Sequence, residues 1–441
     1  MTSPICIVGT GYVGMACMIG LAELGWSVNG YDIAPERIER LRAGVPPYRE
    51  PGIEEALRKH IDAGKLQFFD SVDAAARNAE IIIVAVGTPS REDGSADVSA
   101  LFTAVEAFSK IRFARWPTIV IRSTVPPGTT DALADLIEHA ADVIYAPEFL
   151  REGSAVRDFL NPDRIVVGAP NAAAAVPYAK LLEKLQRPVV FTSRSNAEMI
   201  KCCSNAFLAL KISFANEVAN LCDAIGSTSD DVLRGIGYDR RIGSDFLQPG
   251  IGFGGPCLEK DTKSMQYVAT QAGAGHELFS ATLRVNVEQP RRIVEALEDE
   301  LGTLHGTTIG IWGLTFKAHT DDMRDSLALR IVNEIARRGA TTIAYDPAIH
   351  MAPLPLGTRF ATSALEAANA DALVVLTDWP QFAKIDPVLY ADTLRRRFVL
   401  DGRNALDAQR VISAGLRYRG IGRSYPANAA SASIAALGLS S

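Results

Sequence analysis

The sequence predicts an α/β protein in which two doubly wound domains are joined by a long helix. Three observations lead there. Its 441 residues are enough for about three domains, or for two large ones with a connecting element. Short β-branched runs alternate with amphipathic stretches in the first third, the pattern of βα units on a parallel sheet, and a second such series begins near residue 308. Between them, Asn196 to Gly226 contains no proline and a glycine only at its end, so it reads as one helix. At 1.5 Å per residue such a helix would span ~45 Å, long enough to bridge domains.

Taken in order, the candidate strands of the first series are Ile5 to Val8, Ser27 to Tyr31, Ile81 to Val86, Thr118 to Ile121 and Val143 to Tyr145. Ligands of such sheets sit outside the carboxyl ends of the strands, so the turns GTGYVG, VGTPS, STVPPGT and APEFLREG should converge on one crevice. After the long helix, helical character returns around Lys260 to Gln271 and Pro290 to Leu301. The second series has strands at Thr308 to Trp312, Thr342 to Tyr345, Ala372 to Leu376 and Phe398 to Leu400. Its opening Gly310-Ile311-Trp312-Gly313 lacks the full GxGxxG spacing, which predicts a different phosphate-bearing ligand there. The tail beyond Tyr425 is rich in Ala, Ser and Gly and should be poorly ordered. The expected boundaries are 1–195, 196–302, 303–425 and a tail at 426–441.

Composition narrows the function. Lys plus Arg number 45 against 51 Asp plus Glu, a net charge of −6, which offers no basic footprint for nucleic acid or an anionic membrane. No apolar run approaches a membrane span, and MTSPICIVGTG lacks the charged-then-apolar order of a signal peptide, so the cytoplasm is the expected location. The cysteines Cys6, Cys17, Cys202, Cys203, Cys222 and Cys257 form no CxxC pair and no metal-ligand spacing; no metal is expected.

Gly9-Thr10-Gly11-Tyr12-Val13-Gly14 follows a strand and opens a helix, the context in which GxGxxG holds a dinucleotide pyrophosphate. Asp32 ends the second strand, where a carboxylate accepts from ribose hydroxyls and repels a 2′-phosphate; this points to NAD, with Arg37 nearby as a counter-signal. Cys257 sits in GIGFGGPCLEKD, a glycine-rich stretch able to wrap a ligand, with Lys260 and Asp261 as a cation and a proton acceptor close by. The other cysteines fall inside predicted strands or helices and read as core. Lys201 and Asn205 share a face of the long helix and could polarise a developing alkoxide, if that face is buried; otherwise Lys201 is a surface charge. Glu148 and Glu152 have i, i+4 spacing and could equally be a charged helix turn.

In their order, GTGYVG, VGTPS, STVPPGT, PEFLREGSAVRDFLNPDR, KCCSNAFLALKISFANE, GFGGPCLEKD, LTFKAHTDDMRDS and DGRN resemble the nucleotide-sugar 6-dehydrogenases of the UDP-glucose/GDP-mannose dehydrogenase family, from residue 5 to about 404. The resemblance implies two Rossmann-like domains, N-terminal for NAD and C-terminal for the nucleotide, and a central helical dimerisation region, hence a homodimer or larger homo-oligomer. It implies NAD-dependent four-electron oxidation of a nucleotide sugar, UDP-glucose to UDP-glucuronate by motif spacing, through a Cys257 thiohemiacetal and thioester. Asp261 and Lys201 match proton-handling and oxyanion-stabilising residues, and Thr124, Glu152 and Asn205 match residues that position water and sugar. Around the cofactor the resemblance adds Gly87, Thr88, Ser123, Thr124, Glu152, Lys260 and Arg324 to Gly9, Gly11, Tyr12, Val13, Gly14, Asp32 and Arg37. Around the substrate it implies Glu148, Phe149, Leu150, Arg151, Glu152, Lys201, Asn205 and Arg241. Phe246, Gly250, Phe253, Gly254, Cys257, Phe316, Lys317 and Arg403 complete that set, Arg403 reaching in from the C-terminal domain or a partner subunit. Leu258 departs from the aromatic common in UDP-glucose enzymes and matches GDP-mannose dehydrogenases, and Asp325 stands where the family more often has Glu.

Three other readings compete. Another nucleotide sugar (GDP-mannose, dTDP-glucose or a UDP-N-acetylhexosamine) would use the same groups. A two-electron hydroxy-acid dehydrogenase has no use for Cys257, and a sensor without turnover has no use for Lys201, Cys257 and Asp261 together.

Overall fold

The computed structural model describes residues 3–137 and 141–423; the tail expected to be poorly ordered lies outside the described residues. The chain forms two compact units. The first comprises residues up to Leu208 with Pro256–Ser280 and His319–Asp322, and the second comprises Ala209–Gly255, Ala281–Ala318 and the chain from Met323 on.

In the first unit, β1 (Ile5–Val8), β2 (Val28–Tyr31), β3 (Leu66–Phe69), β4 (Ile81–Val84), β5 (Thr118–Ile121), β6 (Asp142–Tyr145), β7 (Ile165–Gly168) and β8 (Val189–Thr192) form one sheet. Its order is β3-β2-β1-β4-β5-β6-β7-β8. All neighbours run parallel except β6 and β7, which meet antiparallel at Tyr145 and Gly168. Successive side chains point to opposite faces, so Ile5, Ile7, Ile81 and Ile83 enter one core while Cys6, Val8, Ile82 and Val84 enter the other. Helices cover both faces, which is why these strands are buried throughout. Each such isoleucine contributes ~1.5–3 kcal/mol by leaving water.

The second unit repeats the plan with β9 (Thr308–Trp312), β10 (Thr341–Tyr345), β11 (Thr358–Phe360), β12 (Ala372–Val375), β13 (Phe398–Asp401) and β14 (Arg417–Gly420). The order β11-β10-β9-β12-β13-β14 copies that of the first six strands of the other sheet, and both are the doubly wound 3-2-1-4-5-6 arrangement.

The long helix runs Arg194–Ile225, and its two halves belong to different units. Among the described residues no helix is long and apolar enough to cross a membrane.

The structure differs from the sequence reading in three places. Strands β3, β7, β8, β11 and β14 are additional; β8 lies at the sheet edge with Val189, Val190 and Phe191 exposed, and so shows no core-facing alternation. The helical stretch expected around Pro290 to Leu301 extends back to Glu277 and carries that proline inside it. A proline has no N–H and crowds the preceding turn, so sequence alone places it at a helix start. Glu148 and Glu152 form no helix turn: both lie in the loop after β6, before the helix Ala155–Leu160.

Candidate active site

The end of β1 builds a dinucleotide cradle. Gly9 has φ +90, and a Cβ there would stand 2.7 Å from the Ala85 carbonyl oxygen, so only glycine lets the turn pass under β4. At Gly11, by contrast, a Cβ would meet nothing within 4 Å. Gly11 is the N-cap of the helix Tyr12–Glu23, whose N-terminus has no side-chain cap and so keeps its amides for a pyrophosphate. Gly87 is open in the same sense. The residues therefore fit NAD.

Asp32 is buried at the end of β2. Its Oδ2 accepts from the Thr10 amide at 2.8 Å, the Thr10 hydroxyl at 3.1 Å and Arg37 at 2.9 Å, and Oδ1 accepts from the Ala34 amide at 3.1 Å. Burial alone would push this carboxyl up, but the amides of Thr10 and Ala34 and then Arg37 hold it below its ordinary value. Arg37 is thus engaged with the carboxylate. The VGT and STV turns are tied together where Thr88 donates to the Thr124 carbonyl at 2.7 Å and Ser123 to the Val86 carbonyl at 2.7 Å.

The same unit holds a charged cluster. Lys201, 3% exposed, pairs with Glu148 Oε1 at 3.0 Å, and its ammonium lies 5.4 Å from the Phe149 ring. Burial works against the Lys201 charge, but Glu148, Asp261 and Cys257 together raise its pKa. Asp261, 1% exposed, accepts from Asn205 Nδ2 and from Lys260 Nζ, each at 2.6 Å. Asn205 and Lys201 thus engage different carboxylates, and Lys260 engages Asp261. Both follow from charge, since a buried carboxylate requires donors of its own.

Cys257 precedes the helix Leu258–Gln271 as its N-cap, and it is the exposed member of the six cysteines. Although part of the residue reaches the surface, the crowded surroundings of its sulfur and then the Asp261 charge push the thiol up to about 12, with Lys201 pulling the other way. The resting thiol is therefore protonated at neutral pH.

The Arg164 guanidinium lies over the Phe149 ring, 3.6 Å from its centroid, while Leu150 donates its amide to Glu148. Arg151 pairs with Asp158 at 2.8 Å, Glu152 is half-buried, and Val13 packs against the core.

In the second unit the glycine stretch is held by polar side chains. The Gly250 amide donates to Asn216 at 2.7 Å, the Phe253 amide to Asn286 at 2.7 Å, and Gln289 donates to the Gly250 carbonyl at 3.2 Å. Gly252 has φ +105, and a Cβ there would stand 2.5 Å from Asn286. A Cβ at Gly254 would meet the Asp325 carbonyl at 2.7 Å. These glycines thus serve packing within the unit. Arg403 donates to the carbonyls of Leu376 at 2.9 Å, Gly252 at 3.3 Å and Phe316 at 3.3 Å, so its guanidinium braces this loop. Phe246 has φ +63, Arg241 pairs with Asp239 at 2.6 Å on the surface, and Lys317 and Arg324 are exposed.

The second sheet carries a twin of Asp32. Asp346, at the end of β10 and fully buried, accepts from the Thr315 amide and hydroxyl, both at 3.1 Å, and from the Ala348 amide at 2.9 Å. Here Trp379 Nε1 also approaches the carboxylate, at 3.3 Å.

Sequence reasoning missed Glu198, which is fully buried and accepts from the Gly128 amide at 2.6 Å and the Thr130 amide at 2.7 Å. It pins the STVPPGT turn to the helix bearing Lys201; its position three before Lys201 puts both on one helix face and was the available signal.

Three models of one family match in sequence: the NAD binding domain over residues 3–189, the central domain over 195–288 and the UDP binding domain over 310–408. The chain belongs to the UDP-glucose/GDP-mannose dehydrogenase family. This dehydrogenase is an NAD-dependent oxidoreductase. It is 39% identical to UDP-glucose 6-dehydrogenase YwqF of Bacillus subtilis, over 95% of this chain and 97% of that one. It is 38% identical to UDP-glucose 6-dehydrogenase of Rhizobium meliloti, over 95% and 99%. Among solved structures, a UDP-glucose dehydrogenase from Pyrobaculum islandicum aligns with a TM-score of 0.88 at 37% identity, covering 96% and 98% of the two chains. A UDP-D-ManNAc dehydrogenase from Pyrococcus horikoshii aligns with a TM-score of 0.85 at 29% identity, covering 96% and 99%.

Proposed function

We propose that this dehydrogenase oxidises the sugar C6 alcohol of UDP-glucose to the carboxylate of UDP-glucuronate without releasing the aldehyde. The observation that carries the reading is the buried Lys201–Glu148 pair and the Asn205–Asp261–Lys260 cluster, whose charges act on the Cys257 thiol. NAD, when bound in the Gly9–Gly14 cradle, accepts the hydride in each of the two oxidations. The C6 alcohol releases its proton to water as its oxygen gains charge, and the Lys201 ammonium, oriented by Glu148, stabilises that oxygen. The Cys257 sulfur then bonds to the aldehyde carbon while its proton passes to the carbonyl oxygen, forming a thiohemiacetal. Loss of the second hydride, with release of that proton to water, leaves a thioester. Water adds to the thioester, Asp261 takes a proton from it, and the S–C bond breaks to give the carboxylate and the thiol.

NADH formed per UDP-glucose consumed should be two for the wild type, and Cys257→Ser should lose carboxylate production. One NADH with free aldehyde accumulating removes the four-electron reading. A panel with GDP-mannose, dTDP-glucose and UDP-N-acetylhexosamines should give lower kcat/KM than UDP-glucose, and a higher value for any of them reassigns the sugar. The proposed division of labour is NAD binding at 1–195, dimerisation and the cysteine loop at 196–302, and nucleotide binding at 303–425.

The assembly proposed is at least a homodimer through the central helix. Supporting it, Phe207, Phe214 and Leu221 are exposed at heptad spacing along that helix. Light scattering should give a mass at least about twice the 47.4 kDa of the chain; a monomer at working concentration refutes it.

A further inference from the structure

We propose that Glu50 is a positioning residue that couples the cofactor cradle to the Glu148-to-Glu152 segment through Tyr12. Glu50 is 6% exposed and belongs to none of the groups assigned above. Its Oε2 accepts from the Tyr12 hydroxyl at 2.7 Å, and its Oε1 accepts from the Val156 amide at 3.2 Å. The two donors come from different structures. Tyr12 is the first residue of the helix that follows the glycine turn, and Val156 lies in the first turn of Ala155–Leu160, just beyond Glu152.

The same Tyr12 hydroxyl lies 3.1 Å from the Arg151 carbonyl. It has one proton, so the shorter contact to a carboxylate takes the larger share and the carbonyl the remainder. Tyr12 itself is held: its ring packs on Tyr48 at 4.3 Å between centroids, and the Tyr48 hydroxyl donates to the Tyr12 carbonyl at 3.3 Å. Burial, and then Glu50, push the Tyr12 phenol far above its ordinary value, which keeps it a donor through neutral pH.

At the other end the strut meets a turn tied together by its own hydrogen bonds. Asp158 accepts from the Arg151 amide at 3.0 Å, from Arg151 Nε at 2.9 Å and Nη2 at 2.8 Å, and from the Ser154 hydroxyl at 3.0 Å, closing the turn between them. A displacement at Val156 or at the Arg151 carbonyl is therefore passed to the residues just before the turn. Those include Glu148, which holds the Lys201 ammonium. Nothing about Glu50 in sequence predicts this, because its partners lie far away along the chain.

The inference rests on the proposed function in taking Glu148 to Glu152 to face the nucleotide sugar. The test uses full-length Glu50→Gln, Tyr12→Phe and the double variant, since both changes keep side-chain volume. Glu50→Gln should raise KM for UDP-glucose by about tenfold while KM for NAD moves by no more than about threefold, and Tyr12→Phe should likewise raise KM for UDP-glucose. The double variant should be no worse than the poorer single one, because each change breaks the same strut. Amide hydrogen exchange, which needs no sugar, should show lost protection at residues 150–156 in Glu50→Gln with β1 and β4 unchanged. Additive effects, equal loss in both KM values in Glu50→Gln, or unchanged exchange at 150–156 would each overturn the proposal. If the wild type does not oxidise UDP-glucose, the substrate reading fails while the exchange measurement still decides the strut.

Discussion

Replacing Lys201 by Met should damage stability and chemistry together, and a second substitution should separate them. Lys201 and Glu148 form a nearly dry ion pair, 3% and 7% exposed, at 3.0 Å. Removing the ammonium leaves a buried carboxylate with its cation gone, a change that costs ~3–5 kcal/mol in comparable buried pairs. At roughly 2–4 °C per kcal/mol for a domain of 150–250 residues, Tm should fall by roughly 6–20 °C. Adding Glu148→Gln removes the orphaned charge, and the new amide oxygen can still accept from the Leu150 amide, so the residual cost falls to ~1 kcal/mol, that of a hydrogen bond. Most of the Tm should return. Turnover should not: both variants lack the ammonium proposed to stabilise the C6 oxygen and should be slowed by ~10²-fold or more, with NAD affinity nearly unchanged. Calorimetry and NADH formation under saturating substrate measure the two quantities. Recovery of turnover in the double variant, or no Tm loss in the single one, would refute the reasoning.

Two further outcomes follow from the site. Since the Cys257 thiol is pushed up to about 12, it is protonated below that pH, and its alkylation in the free enzyme should climb by about tenfold per pH unit through pH 9. A rate that levels off near pH 7 would mean a stabilised thiolate in the resting enzyme. On the proposed role of Asp32 at the adenine ribose, kcat/KM should favour NAD over NADP, and Asp32→Ser should narrow the gap by freeing Arg37; equal or better use of NADP by the wild type would refute the assignment.

How much was legible depended on whether a residue's role is local. The GTGYVG turn, the long helix and the inward-facing strands of both sheets could be read because each depends on near neighbours: glycine at positive φ, absence of breakers, β-branched runs. Strand β8 escaped because it is an exposed edge, and the helix beginning at Glu277 was truncated because Pro290 mimics a start. Cys257, Lys201 and Asp261 were readable through the company they keep in motifs. Which carboxylate each donor would choose was not readable, because Lys201 to Glu148 and Asn205 to Asp261 are pairings across the fold. Glu50 and Glu198 look like ordinary surface acids until their burial is known.

The matched carboxylates at Asp32 and Asp346 show one local device put to two ends. Strand order, the glycine after the first strand (Gly9 at φ +90, Gly313 at φ +94) and the threonine that feeds amide and hydroxyl to one oxygen recur in both halves. The surroundings differ: one carboxylate reaches an arginine at the protein surface, while the other is enclosed beside an indole. Mutation of Asp346 should therefore be felt as a folding defect, whereas mutation at Asp32 should be felt as a change of diet among cofactors.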